Sequence, residues 1–84
     1  MNISQLFEDG CSILKNADIE NHRNEARWIF ESVFECSREY LIFNSQCDAD
    51  SDKSELFLQK INSRASGVPV QYVIGSWDFY GESF

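Results

Sequence analysis

Apolar residues along this chain recur with a helical period for most of its length. Ile3, Leu6, Phe7, Cys11 and Leu14 form one stripe, which predicts a helix capped by Asn2 or Ser4 and ending near Lys15 or Asn16. Gly10 lies inside that helix and weakens it by up to about 1 kcal/mol relative to Ala. Ala26, Ile29, Phe30, Val33 and Phe34 repeat at i, i+3, i+4, i+7 and i+8, with Asn21 placed to cap the start. This second helix carries the strongest pattern and is expected at the centre of the core. Trp28 lies off the stripe and either widens it or faces a second surface. A short helix carrying Tyr40, Leu41 and Phe43 follows, with Ser37 as cap, and then "CDADSDK" reads as a loop. Phe57, Leu58, Ile61 and Ala65 share one face of a further helix, and Asp52 with Glu55 forms a capping-box-like start.

The period changes at Gly67–Pro69. Gly67 suits a left-handed helix stop, and Pro69 forbids the helix from resuming. Beyond it, "VQYVIGSWDFYGESF" alternates. A two-residue turn at Gly75-Ser76 sets Ile74 opposite Trp77 and Tyr72 opposite Phe79, so that one face of a ribbon carries Tyr72, Ile74, Trp77 and Phe79. A lone two-stranded ribbon is marginal in water. The expected architecture is an all-α bundle of four to five helices over residues 1–67, followed over residues 68–84 by the start of a β-hairpin connector. Ser83-Phe84 would open a further strand that the sequence does not supply, which leads to the expectation of a cut chain whose ribbon connects to a missing domain. Residues after about Gly67, deprived of cover, are then expected to be disordered, refolded or paired with a neighbouring molecule.

Composition narrows the function. Eighty-four residues make one domain at most. Phe7, Trp28, Phe30, Phe34, Tyr40, Phe43 and Phe57 are enough to seed a core, which argues against intrinsic disorder. The net charge of −7, with seven basic residues scattered from Lys15 to Arg64, argues against a nucleic-acid face and against an anionic membrane surface. It suits solubility or a basic partner. Cys11, Cys36 and Cys47 are odd in number and form no CxxC, so reduced thiols in a cytoplasmic protein are expected rather than disulfides or zinc. No basic, apolar leader and no run of about 20 apolar residues is present, so neither a signal peptide nor a membrane span is expected.

Candidate chemistry is sparse. Asp48, Asp50 and Asp52 match positions 1, 3 and 5 of a calcium loop, but Lys53 stands where Gly is needed and Gln59 where a bidentate Glu is needed. These aspartates read instead as charge at the start of the next helix. His22, the single histidine, has no cluster of ligands or triad partners in sequence. No GxSxG, GxGxxG or GxxxxGK[ST] occurs. Catalytic, cofactor-binding and metal-ligating residues are therefore expected to be absent from these 84 residues.

The segment "INSRASGVPVQYVIGSWDFYGESF" resembles the stretch of HemK/PrmC-type methyltransferases that leaves the N-terminal helical domain and enters the catalytic domain. The family pattern is an Arg-bearing helix end, Gly-x-Pro-x-x-Tyr-x-x-Gly, then Phe, Gly and Phe. Arg64, Gly67, Pro69, Tyr72, Gly75, Phe79, Gly81 and Phe84 occupy those places. "ADIENHRNEARWIFESVF" is similar to the family's second helix, and Ala65 departs from the second basic residue that many relatives carry. The resemblance implies a parent enzyme dependent on S-adenosylmethionine that methylates the Gln of the Gly-Gly-Gln motif in class 1 peptide-chain release factors. It implies a cofactor site and an Asn-Pro-Pro-Tyr motif in a Rossmann-like domain downstream, and a helical domain here that holds the release factor. It carries no catalytic or cofactor residue onto this chain.

Two other readings stand beside it. One is a free-standing acidic helical adaptor whose ribbon folds back onto the bundle. The other is the helical cap of a different Rossmann-type methyltransferase acting on a small molecule or nucleic acid.

Overall fold

The computed structural model describes residues 1–74. In chain order the helices are α1 (Ile3–Asn16), α2 (His22–Phe34), α3 (Arg38–Phe43), α4 (Ser51–Ala65) and α5 (Val70–Ile74). No strand occurs among the described residues, and the chain folds as a small all-α bundle.

Local chemistry sets the ends of these helices. Asn2 caps α1: its Oδ1 accepts from the Gln5 backbone N–H at 2.8 Å, and Gln5 Oε1 accepts from the Asn2 N–H at 3.2 Å. The Ile3 and Ser4 N–H groups have no carbonyl within their own helix. They donate to the Cys47 and Ser45 carbonyls at 2.8 and 2.9 Å, which ties the start of α1 to the loop between α3 and α4. Asn21 occupies the N-cap position of α2, yet its side chain accepts from Asn24 Nδ2 at 2.9 Å rather than from a backbone N–H. Glu35 ends α2 in the left-handed region, at φ 53°.

The start of α4 corrects one expectation. Asp50, not Asp52, is the cap, accepting from the Lys53 N–H at 3.0 Å. A capping residue needs a non-helical backbone, and Asp50 has ψ 133° whereas Asp52 already lies in the first helical turn. There the helix dipole favours its carboxylate.

Phe30 is the centre of the core. It is fully buried, stacks on Phe34 at 4.2 Å between centroids, and meets Phe57 and Phe7 edge-on at 5.7 and 6.5 Å. These rings join α1, α2 and α4. Gly10 is explained by the same packing, because a Cβ there would stand 2.6 Å from Phe57 Cζ. The missing Cβ at Gly10 permits the close approach of α1 to α4, at a cost in helix propensity.

Two further expectations give way. Tyr40 and Phe43 do not join the core: α3 buries none of its residues, and Phe43 is 81% exposed. Residues 70–74 form α5, not the first strand of a ribbon. The Pro69 carbonyl accepts from the Tyr72 and Val73 N–H groups at 3.0 and 3.2 Å, which starts a helical turn. Adjacent residues in a strand point to opposite faces, so a strand would expose either Val73 or Ile74. The helix buries both, at 5% and 7% exposure, and leaves Tyr72 outside, so Tyr72 and Ile74 do not share a face. The expected turn at Gly75-Ser76 and the return strand with Trp77 and Phe79 lie outside the described residues.

Candidate functional site at the exit of the bundle

The charged residues that interrupt the apolar stripes gather at the C-terminal end of α4. Glu25 sits on the inner face of α2 and is 8% exposed. Arg64, in the last turn of α4, answers it: Nε donates to Glu25 Oε1 at 2.5 Å and Nη2 lies 3.4 Å from Oε2. Such a two-point pair suits the planar guanidinium and fixes its orientation. The third nitrogen, Nη1, donates to the Val68 carbonyl at 3.3 Å. Arg64 thus joins α2, α4 and the segment that leaves α4.

Backbone geometry turns the chain at this point. Ser66 closes α4, with its Oγ donating to the Ser63 carbonyl at 2.7 Å. Gly67 has φ +116°, a region that L side chains rarely adopt, and no atom stands within 4 Å of a Cβ built there. The glycine is therefore required by backbone conformation rather than by crowding. Pro69 then opens α5, and Lys60 Nζ donates to the Val73 carbonyl at 2.9 Å near its end. Val73 and Ile74 seat α5 on α2 and α4.

Of the eight residues that carried the resemblance, Arg64, Gly67, Pro69 and Tyr72 converge here. Tyr72 faces outward, 74% exposed. Gly75, Phe79, Gly81 and Phe84 lie outside the described residues. Glu25 and Lys60 were not foreseen, although both left a signal. Glu25 stands four residues before Ile29 on the apolar stripe of α2, and Lys60 stands three after Phe57 on that of α4. A charge inside an apolar stripe demands a partner.

Other polar features do not assemble chemistry. His22 Nδ1 lies 3.2 Å from the Ile19 carbonyl oxygen. Among the described residues no three His, Cys, Asp or Glu side chains gather in a metal-binding group. A hollow of about 630 Å3 beside α3 is lined by Phe34, Glu35, Tyr40, Asp48, Asp50 and Lys53. Asp50 is already committed there as a cap. Burial pushes the thiol of Cys11 up to about 11, and that of half-buried Cys36 likewise, so both are poor nucleophiles at neutral pH. What the exit does is mechanical: it turns the chain and holds it.

A family model for the PrmC N-terminal domain matches residues 5–75, from α1 through the end of α5. The chain belongs to the PrmC N-terminal domain family. Three similar relatives are all called release factor glutamine methyltransferase. That of Koribacter versatilis is 29% identical over all of this chain, that of Clostridium botulinum 25% over all of it, and that of Buchnera aphidicola 31% over 99% of it. The chain spans 30% of the length of each. No solved structure matches. The PrmC N-terminal domain match therefore includes the whole latch of Arg64, Gly67, Pro69 and Lys60. Among the described residues no helix is long and apolar enough to cross a membrane.

Proposed function

We propose that this chain is the release-factor-docking domain of a cytoplasmic glutamine methyltransferase. The full protein uses S-adenosylmethionine to methylate the Gln of the Gly-Gly-Gln motif in class 1 release factors. The observation that carries this reading is the family match over residues 5–75 together with relatives of that name aligned along the whole chain. Residues 1–67 form the docking unit and residues 68–84 the connector to the catalytic domain, with Arg64, Gly67, Pro69, Tyr72, Gly75, Phe79, Gly81 and Phe84 as its joint. The described part of that connector, α5, rests on the bundle itself.

In open α/β sheets nucleotide cofactors bind outside the carboxyl ends of the strands, and the described residues form helices and no strand. The methyl donor is assigned to the catalytic domain. Physical chemistry supplies the reason for a separate docking unit. Methyl transfer to one glutamine at a loop tip requires near-attack geometry. Binding energy from remote contacts holds that loop in register without touching the reacting atoms.

The test is methylation of an intact release factor by the full-length protein, read by mass spectrometry of the Gly-Gly-Gln peptide. One added methyl group on Gln is expected, with kcat/KM far above that for a short Gly-Gly-Gln peptide. Equal kcat/KM for the two substrates would remove the docking role, and an unmodified Gln would remove the activity.

A further inference from the structure

Two cations of α4 end on main-chain carbonyls of the segment that follows it. Arg64 Nη1 donates to Val68 and Lys60 Nζ donates to Val73, so the two contacts bracket Pro69 and most of α5. Lys60 and Arg64 are four residues apart and therefore share one face of α4. Their roles differ. Arg64 is braced by the buried Glu25 carboxylate, which orients the guanidinium that donates to the Val68 carbonyl. Among the described residues Lys60 forms no ion pair, and its ammonium is spent on the Val73 carbonyl. The last carbonyls of a helix have no partner within it and carry the negative end of its dipole. A lysine is suited to that position.

One contact point leaves a short helix free to pivot, whereas two points and a buried edge define a direction. Val68 fixes where the segment starts, Val73 and Ile74 fix which side faces the bundle, and Lys60 fixes where α5 points as the chain goes on. Methyl transfer is sensitive to that direction, because a misplacement of about 1 Å far from the chemistry can cost about a hundredfold in rate.

We infer that Lys60 is a positioning residue: through the Val73 carbonyl it sets the angle between the docking bundle and the catalytic domain, and so the register of the docked glutamine. The inference rests on the docking reading above.

Lys60→Met in the full-length protein tests this. With intact release factor, kcat falls about tenfold, part of the penalty that misregister can carry, while KM for the release factor stays within about twofold, as expected of a residue that orients the bound substrate rather than binding it. The rate with a short Gly-Gly-Gln peptide, which does not use the bundle, is unchanged, and Lys60→Arg restores kcat. Unchanged kcat with intact factor, or an equal fall with the peptide, overturns the inference. A second readout does not depend on activity. Spin labels on exposed Cys47 and in the catalytic domain report the angle between the two units, and Lys60→Met broadens their distance distribution. An unbroadened distribution also overturns it. If the wild-type protein leaves the release factor unmodified yet the distribution broadens, the latch stands and the docking reading falls.

Discussion

The two short helices of this domain look alike on paper. The "REYLIF" of α3 and the "VQYVI" of α5 are both rich in large apolar side chains and neither is long enough to be stable alone. Yet α3 fully buries no residue, with Leu41 half-buried against the core and Ile42 61% exposed, whereas α5 buries Val73 and Ile74. The contrast lies in attachment. The Pro69 carbonyl accepts the first N–H bonds of α5, Arg64 holds the residue before Pro69, and Lys60 holds the end of the helix. Ser37 stands at the N-cap of α3 without a side-chain bond to it, and the Tyr40 carbonyl at its far end is met only by the backbone and side chain of neighbouring Asn44. Hydrophobicity alone therefore does not decide which short helix joins a core. Anchors from longer helices do.

The largest test of that contrast is Glu25→Ala. It strips the buried partner from Arg64 and loosens the latch on Val68. Removing one member of a buried pair is expected to cost about 3–4 kcal/mol, measured by urea unfolding. Glu25→Leu combined with Arg64→Met should recover part of that loss, since no charge is then left stranded. A loss below about 1 kcal/mol for the single change would mean that the ion pair does not brace the exit. Next in size is Ile74→Ala, expected to cost about 2–3 kcal/mol because the side chain is lost from a packed edge between α2 and α4. Near-neutral behaviour there would make α5 as loosely held as α3.

Alkaline pH probes the core against the flank of α3. Burial raises the Cys11 thiol from 9.0 to about 11, and Cys36, just ahead of α3, is raised to about 11 by burial and by Glu31. The folded chain thus keeps protons that the unfolded chain releases. This contribution to stability is fully present below pH 9 and is lost as pH climbs toward 11. For Cys11 it amounts to at most about 3 kcal/mol. Urea midpoints taken at pH 8 and pH 10.5 should fall accordingly, and Cys11→Ala and Cys36→Ala should each flatten part of the drop. At neutral pH exposed Cys47, beyond α3, should react with a thiol reagent before either of the others.

Much of this fold was legible in the pattern of residues. The stripes of α1, α2 and α4 mapped directly onto the core, because a long period-3.6 repeat has one way to bury itself. Gly67 was placed correctly as a stop, since few other residues accept its backbone. For five or six residues, helix and strand patterns are hard to tell apart, and "VQYVI" was settled by Pro69 and by contacts with α2 and α4 rather than by its own alternation. The cap of α4 was missed because three aspartates at alternate positions compete, and only backbone geometry chooses Asp50. At the exit, Arg64, Gly67 and Pro69 were visible as a motif. Glu25 lies 39 residues from Arg64, so the pair exists only once α2 and α4 have packed.

The smallest expected effect is the sharpest control. Phe43 is the most exposed of the large apolar side chains of α3, so Phe43→Ser removes little that folding had buried. Substitutions at such exposed sites stay within about 0.5 kcal/mol. Measured beside Ile74→Ser, the pair asks one question of two short helices. A stability loss at Phe43 approaching that at Ile74 would mean that α3 packs in solution and that attachment is not what separates them. A silent Phe43 beside a costly Ile74 fits a bundle whose anchors act at the exit, because only there do the cations of α4 reach the backbone of the next segment.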